Sequence, residues 1–105
     1  PRFEASISEI HHSKKKDAPS ATALKIAEAV KNGRRSAQNV PAVSQRLGDI
    51  VGEHTLTLAG PFERLELTHK AHGRAVFASG ALEAALWIFG KKPGLYGMDD
   101  WLDHP

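Results

Sequence analysis

The segment Ala75–Phe89, AVFASGALEAALWIF, constrains this chain more than any other. It is made of good helix formers, and only Ser79 and Glu83 are clearly polar. Spaced four apart, those two share one narrow stripe, so almost the whole circumference of the helix is apolar. Such a helix needs cover on several sides, yet it is too short to cross a membrane comfortably. Two readings stay open: a central core helix of a small domain, or a helix packed against protein outside this chain.

The rest of the chain carries the patterns of a small α+β domain. Phe3, Ala5 and Ile7 alternate with Glu4, Ser6 and Ser8, the period of a half-buried strand. A polar stretch from His11 to Ser20 leads into a helix over about Ala21–Asn32, with Ala23, Ile26, Ala27 and Val30 on its apolar face. Asp17 and Ser20 are N-cap candidates, Pro19 suits the helix entry, and Gly33 is placed as the C-terminal stop. Three strand-like segments follow. Pro41–Leu47 alternates weakly, Ile50–Ala59 puts Ile50, His54, Leu56 and Leu58 on one face, and Phe62–Lys70 does the same with Leu65, Leu67 and His69. Gly60-Pro61 marks a hairpin turn. The tail after Gly90 reads as a loop anchored by Tyr96, Met98, Trp101 and Leu102.

The order β-α-β-β-β-α predicts a mostly antiparallel or mixed four-stranded sheet with helices on one face. The other face, expected to show Val51, Thr55, Thr57, Val43 and Phe3 or Ala5, is then open for association between subunits. With 105 residues there is room for one domain. The absence of cysteine excludes disulfides, thiolate metal sites and cysteine nucleophiles. A net charge of +2 is too balanced for a dedicated nucleic-acid binder, and neither a membrane span nor a signal peptide is present, so a cytoplasmic location is expected. The start at Pro1, with structure predicted almost at once, suggests a fragment or processed product.

Chemistry concentrates in His11–Thr22. Adjacent His11 and His12 point to opposite faces of a strand and are poorly placed to chelate one metal, so no metal site is expected. Lys14, Lys15 and Lys16 follow, then the Ser20-Ala21-Thr22 helix entry. Taken singly these are a solvated loop and a cap. Together they predict an anion site: unpaired N–H groups and positive partial charge at a helix start, with lysine and histidine beside it to supply charge and a proton. The expected ligand is a small molecule bearing carboxylates or phosphate.

The run Glu9-Ile-His-His-Ser-Lys-Lys-Lys-Asp-Ala-Pro-Ser-Ala-Thr-Ala23 resembles the signature E-x-H-H-x-x-K-x-D-A-P-S-G-T-A of the dihydrodipicolinate (4-hydroxy-tetrahydrodipicolinate) reductase family. Gly48-Asp-Ile-Val-Gly-Glu-His-Thr55, Glu63-Arg-Leu-Glu-Leu-Thr-His-Lys70, Arg74-Ala-Val-Phe-Ala-Ser-Gly-Ala81 and Gly94-Leu-Tyr-Gly-Met-Asp-Asp-Trp-Leu102 are similar to later segments of the family. The resemblance covers the C-terminal part of such an enzyme. It implies that residues 1–105 form a substrate-binding and oligomerisation domain. Residues 73–105 are then expected to pack on an N-terminal Rossmann domain, absent from this chain, that binds NADPH or NADH. None of the nine glycines here falls into G-x-G-x-x-G, so the chain alone is expected to be inactive.

The resemblance also implies roles. His11 serves as acid or supports the acid, Lys15 is the general acid, and His12 contacts substrate. Ser20, Ala21 and Thr22 hold a substrate carboxylate, and Arg74 and Phe77 lie near the cofactor. Lys14 and Lys16 match no fixed position of the signature and read as solvated charge. The reaction implied is reduction of a cyclic imine dicarboxylate to tetrahydrodipicolinate in lysine and diaminopimelate biosynthesis, by a homotetramer joined through the open sheet face. The family's glycine is Ala21 here, which is costly if that position needs φ > 0 and harmless if it is helical. The alternative is a non-enzymatic oligomerisation or interaction domain with a relic site; an RNA- or membrane-binding lysine patch lacks interleaved aromatics.

Overall fold

A computed structural model describes residues 2–105 as two compact units, one running to Ala71 and the other from His72 to Pro105. The first unit contains strand β1 (Glu4–His11), helix α1 (Ala21–Gly33), and strands β2 (Ala42–Arg46), β3 (Glu53–Ala59) and β4 (Arg64–Lys70). They form a mixed sheet of order β2-β1-β3-β4, in which β1 and β2 are parallel and the other pairs antiparallel. The expected α+β class and four-stranded mixed sheet are therefore present. The parallel pair follows from the α1 crossover, because two parallel strands cannot be joined by a tight turn.

The core lies between α1 and the face of the sheet that carries odd-numbered β1 residues. Ala5, Ile7, Ala23 and Val40 are buried, with Ile26, Ala27, Val30, Ala42, Leu56 and Leu58 packed around them. Ile7, fully buried on the central β1–β3 pair opposite Leu56, contributes on the order of 1.5–3 kcal/mol by leaving water. Register continues the same face across the hairpin, pairing Leu56 with Leu67 and Leu58 with Leu65. At the Gly60-Pro61 turn, the Gly60 N–H donates to the Glu63 carbonyl at 2.8 Å.

Some boundaries differ from the sequence pattern. Ile50 and Val51 precede β3, in irregular backbone just after a turn in which Gly48 has φ +55. Ala5 is buried on the α1 side opposite Leu58, and Phe3 shares its phase, so neither belongs to the open face. That face is instead rich in hydroxyl groups: Ser8 pairs with Val43 and Thr55, Ser6 with Thr57, and Thr55 with Thr68 at an Oγ1–Oγ1 distance of 3.0 Å. Gly33 is the last residue of α1 rather than its left-handed stop; Arg35 takes that conformation at φ 51. The N–H groups of Arg35 and Ser36 return to the carbonyls of Asn32 and Lys31, closing a Schellman-type end.

The second unit contains α2 (Ala75–Ile88) and α3 (Met98–Asp103). The helix α3 lies where a loop was expected. The Asp100 carboxylate accepts the Gly97 N–H at 2.7 Å, and Asp99 and Asp100 place negative charge in the first turn, where the helix dipole favours it. Trp87 donates its indole N–H to the His104 carbonyl at 2.7 Å and meets Tyr96 edge to face. No described helix is long and apolar enough to cross a membrane.

Candidate functional site

Strand β1 changes character along its length. Its α1-facing positions read Ala5, Ile7, Glu9, His11, apolar first and then ionisable, just where α1 begins. Register sets Ser44 and His54 on either side of Glu9, and Arg46 beside His11. Strand alternation puts all of these side chains on one face.

Glu9 is the centre of the cluster and is only 1% exposed. Its Oε2 accepts hydrogen bonds from the Ser20 N–H and the Ser44 hydroxyl, both at 2.8 Å, with Arg46 Nη2 at 3.7 Å. Its Oε1 lies 3.1 Å from His11 Nε2 and 3.6 Å from His54 Nε2, but neither ring aims a linear N–H at it. Burial raises the pKa of this carboxyl; hydrogen bonds from Ser20 and Ser44 and the Arg46 charge outweigh it and hold the value at about 2.

Ser20 caps α1. Its hydroxyl accepts the Ala23 N–H at 3.1 Å and lies 3.3 Å from His54 Nε2, while its carbonyl accepts the Leu24 N–H at 3.0 Å. With the Ser20 N–H directed at Glu9, the N–H groups of Ala21 and Thr22 are the ones without an acceptor among the described residues. Both residues are exposed. Ala21 is the first helical residue, and Arg35 alone among the described non-glycine residues has positive φ, so the methyl group at position 21 is unstrained.

Lys15 Nζ is 3.0 Å from the Asp17 carboxylate, and the Asp17 carbonyl accepts from Arg46, which joins Lys15 to the Glu9 cluster through one chain of contacts. The hydrogen bond from Lys15 is the main cause holding the Asp17 carboxyl below its usual range. Lys14 and Lys16 are exposed. The carbonyl of His12 accepts the Lys15 N–H at 3.1 Å, which shapes the turn, and the His12 side chain is half-buried. Arg74 and Phe77 belong to the second unit, at the start of α2.

The sequence reading gave no role to Glu9, Ser44, Arg46 or His54. A signal was available for two of them. Glu9 continues the inward phase of Ala5 and Ile7, and His54 that of Leu56 and Leu58, so each is an ionisable group placed in a core stripe. Burial pushes the His54 pKa down, the nearby His11 adds to this, and Glu9 opposes it. Gly52 permits the packing of His11: a Cβ there would stand 3.2 Å from His11 Cε1.

Glu9, His11 and His54 also converge closely enough to be tested as cation ligands. The Arg46 guanidinium beside Glu9, and the two hydrogen bonds already made by its Oε2, oppose placing a dication there. The fit to a dinucleotide is poor as well. The β1–α1 connection, residues 12–20, has no glycine through which backbone could approach a pyrophosphate.

Fold and site together define an α+β domain with a polar cluster buried under the first turn of its crossover helix. The family model for the dihydrodipicolinate reductase C-terminus matches residues 1–102. The chain is 46% identical over 118 residues to 4-hydroxy-tetrahydrodipicolinate reductase of Rhodopseudomonas palustris (strain BisA53), covering 95% of this chain and 43% of that protein. It is 49% identical over 114 residues to the protein of the same name from Aquifex aeolicus (strain VF5), with coverages of 95% and 43%. A dipicolinate-bound dihydrodipicolinate reductase from Paenisporosarcina sp. TG-14 superposes with a TM-score of 0.78 at 25% identity, over 92% of this chain and 44% of the other. The chain belongs to the dihydrodipicolinate reductase family and corresponds to its C-terminal domain. It spans less than half the length of these relatives.

Proposed function

We propose that this chain is the substrate-binding and catalytic domain of a 4-hydroxy-tetrahydrodipicolinate reductase, acting in the cytoplasm in lysine and diaminopimelate biosynthesis. The observation that carries this reading is the exposed first turn of α1, where the Ala21 and Thr22 N–H groups have no acceptor among the described residues, joined through Arg46 and Asp17 to Lys15. Those N–H groups offer a carboxylate two donors and the positive end of a 13-residue helix. Dipicolinate, the ligand of the Paenisporosarcina enzyme, is a planar dicarboxylate of the kind such a turn accepts.

In this reading Lys15 delivers the proton that completes reduction of the cyclic imine, and His12 contacts the second part of the substrate. Ser20 holds the turn in shape. His11 supports the acid: its Nε2 lies 3.1 Å from Glu9 Oε1 and 3.2 Å from His54 Nε2, within the partly buried cluster beneath the helix start. The hydride comes from NADPH or NADH, held by a part of the enzyme that the residues here do not form, with Arg74 and Phe77 near it. Assembly into a homotetramer uses the hydroxyl-rich open sheet face.

Calorimetry with pyridine-2,6-dicarboxylate tests the binding step. Saturable binding that is weakened in Thr22→Pro, which removes one of the two donors, supports the reading; no binding by the wild type refutes it. In a reductase carrying this domain together with a dinucleotide-binding domain, Lys15→Ala should lower kcat by ~10²-fold or more with little change in KM. Unchanged turnover removes Lys15 from the reaction.

A further inference from the structure

We propose that His54 is a positioning residue, whose one Nε2 lone pair is shared by the Ser20 hydroxyl and the His11 ring in a three-centre hydrogen bond and so sets the helix start before a dicarboxylate arrives. The inference rests on the substrate site described above and adds to it a residue outside the β1–α1 segment.

It follows from counting donors and acceptors around three atoms. Glu9 Oε1 is buried and, as part of a carboxylate, can only accept. It lies closer to His11 Nε2, at 3.1 Å, than to His54 Nε2, at 3.6 Å. The two Nε2 atoms are themselves 3.2 Å apart, so one carries the shared proton and the other presents a lone pair. An unprotonated His11 Nε2 would hold a second electron-rich atom 3.1 Å from the carboxylate oxygen, an arrangement the negative charge disfavours. The proton therefore sits on His11, and His54 is the acceptor, with its own proton on Nδ1.

The same assignment satisfies Ser20. Its hydroxyl oxygen accepts the Ala23 N–H, which leaves its proton to be donated, and His54 Nε2 at 3.3 Å is unprotonated and able to receive it. In the reverse arrangement His54 Nε2 has no lone pair to offer, and the Ser20 proton loses that acceptor. In chain order the link is from β3 to the α1 cap and to β1, three elements held by one imidazole nitrogen.

Two variants of the protein separate positioning from bulk. His54→Phe keeps a planar ring and removes the acceptor; His54→Gln restores an acceptor oxygen on a side chain of suitable reach. Nitrogen-15 NMR of the wild type should show His54 as the Nδ1–H tautomer and His11 as the Nε2–H tautomer. Affinity for pyridine-2,6-dicarboxylate should fall about tenfold in His54→Phe, the scale of one lost buried hydrogen bond, and recover in His54→Gln. A proton on His54 Nε2 overturns the proposal whether or not either variant folds. So does a folded His54→Phe that binds as tightly as the wild type. If the wild type binds no dicarboxylate, the substrate reading fails; if it binds and only the His54 results are negative, the role of His54 alone fails.

Discussion

The imidazoles of His11 and His54 meet edge to face, their ring centroids 5.0 Å apart and their planes inclined by 72°, although 43 residues separate them in the chain. Beside both rings lies the Glu9 carboxylate, the group on which the cluster depends.

Glu9 should make stability depend on acid. Its pKa of about 2 in the folded protein lies below its ordinary value of 4.5. A carboxyl depressed in this way contributes its stability fully above the unfolded value and loses it as pH falls through the folded one. The window is therefore about pH 4.5 down to 2, and the contribution is on the order of 3 kcal/mol. Urea unfolding across that range should show the loss in the wild type and a lower, flatter profile in Glu9→Gln. An equally steep profile in Glu9→Gln would assign the acid sensitivity to another group.

Gly52→Ala should damage the site by crowding. The new methyl group would meet His11 Cε1 at 3.2 Å, so the ring must shift by a few tenths of an ångström and its contacts with Glu9 and His54 change. The expected cost is ~1–3 kcal/mol, with weaker dicarboxylate binding. Unchanged affinity would show that the cluster tolerates displacement of His11.

Arg35→Gly should stabilise the protein. Arg35 is exposed, and its φ of 51 lies in the left-handed region that glycine enters without a Cβ clash. A gain of ~0.5–1 kcal/mol is expected in thermal or urea unfolding. A loss would mean that the arginine side chain contributes more than its backbone conformation costs.

Ala21→Gly tests the departure from the family signature. Because Ala21 is already helical, glycine should bring no gain in dicarboxylate binding and should cost up to ~1 kcal/mol of stability. Tighter binding by the glycine variant would show that the methyl group obstructs the ligand.

Much of this architecture could be read from residues close together in sequence. Alternation at Phe3–Ser8, the Gly60-Pro61 turn and the Ser20 cap each report a local preference, and each element lies near its expected place. The family signature indicated the helix start as the ligand site for the same reason, since Lys15, Ser20, Ala21 and Thr22 are neighbours along the chain. The buried half of the cluster was not legible. Glu9 meets Ser44 across 35 residues and His54 through antiparallel register, and neither pairing leaves a local trace beyond an ionisable residue in an apolar stripe. The end of α1 was misplaced because Gly33 is the obvious left-handed residue, whereas the hydrogen bonds to Lys31 and Asn32 require that conformation at Arg35. The helix α3 was missed because its start depends on one carboxylate, that of Asp100, turning back to Gly97.

The mixed sheet places β1 between a parallel and an antiparallel neighbour. The Glu9 cluster therefore draws on β1, α1, β2 and β3 at once, and no stretch of two consecutive elements contains it. Capture of a ligand is consequently coupled to the folding of the whole first unit. A dicarboxylate that binds this domain should raise its melting temperature in proportion to the logarithm of free ligand, and partly unfolded chains should have no residual affinity.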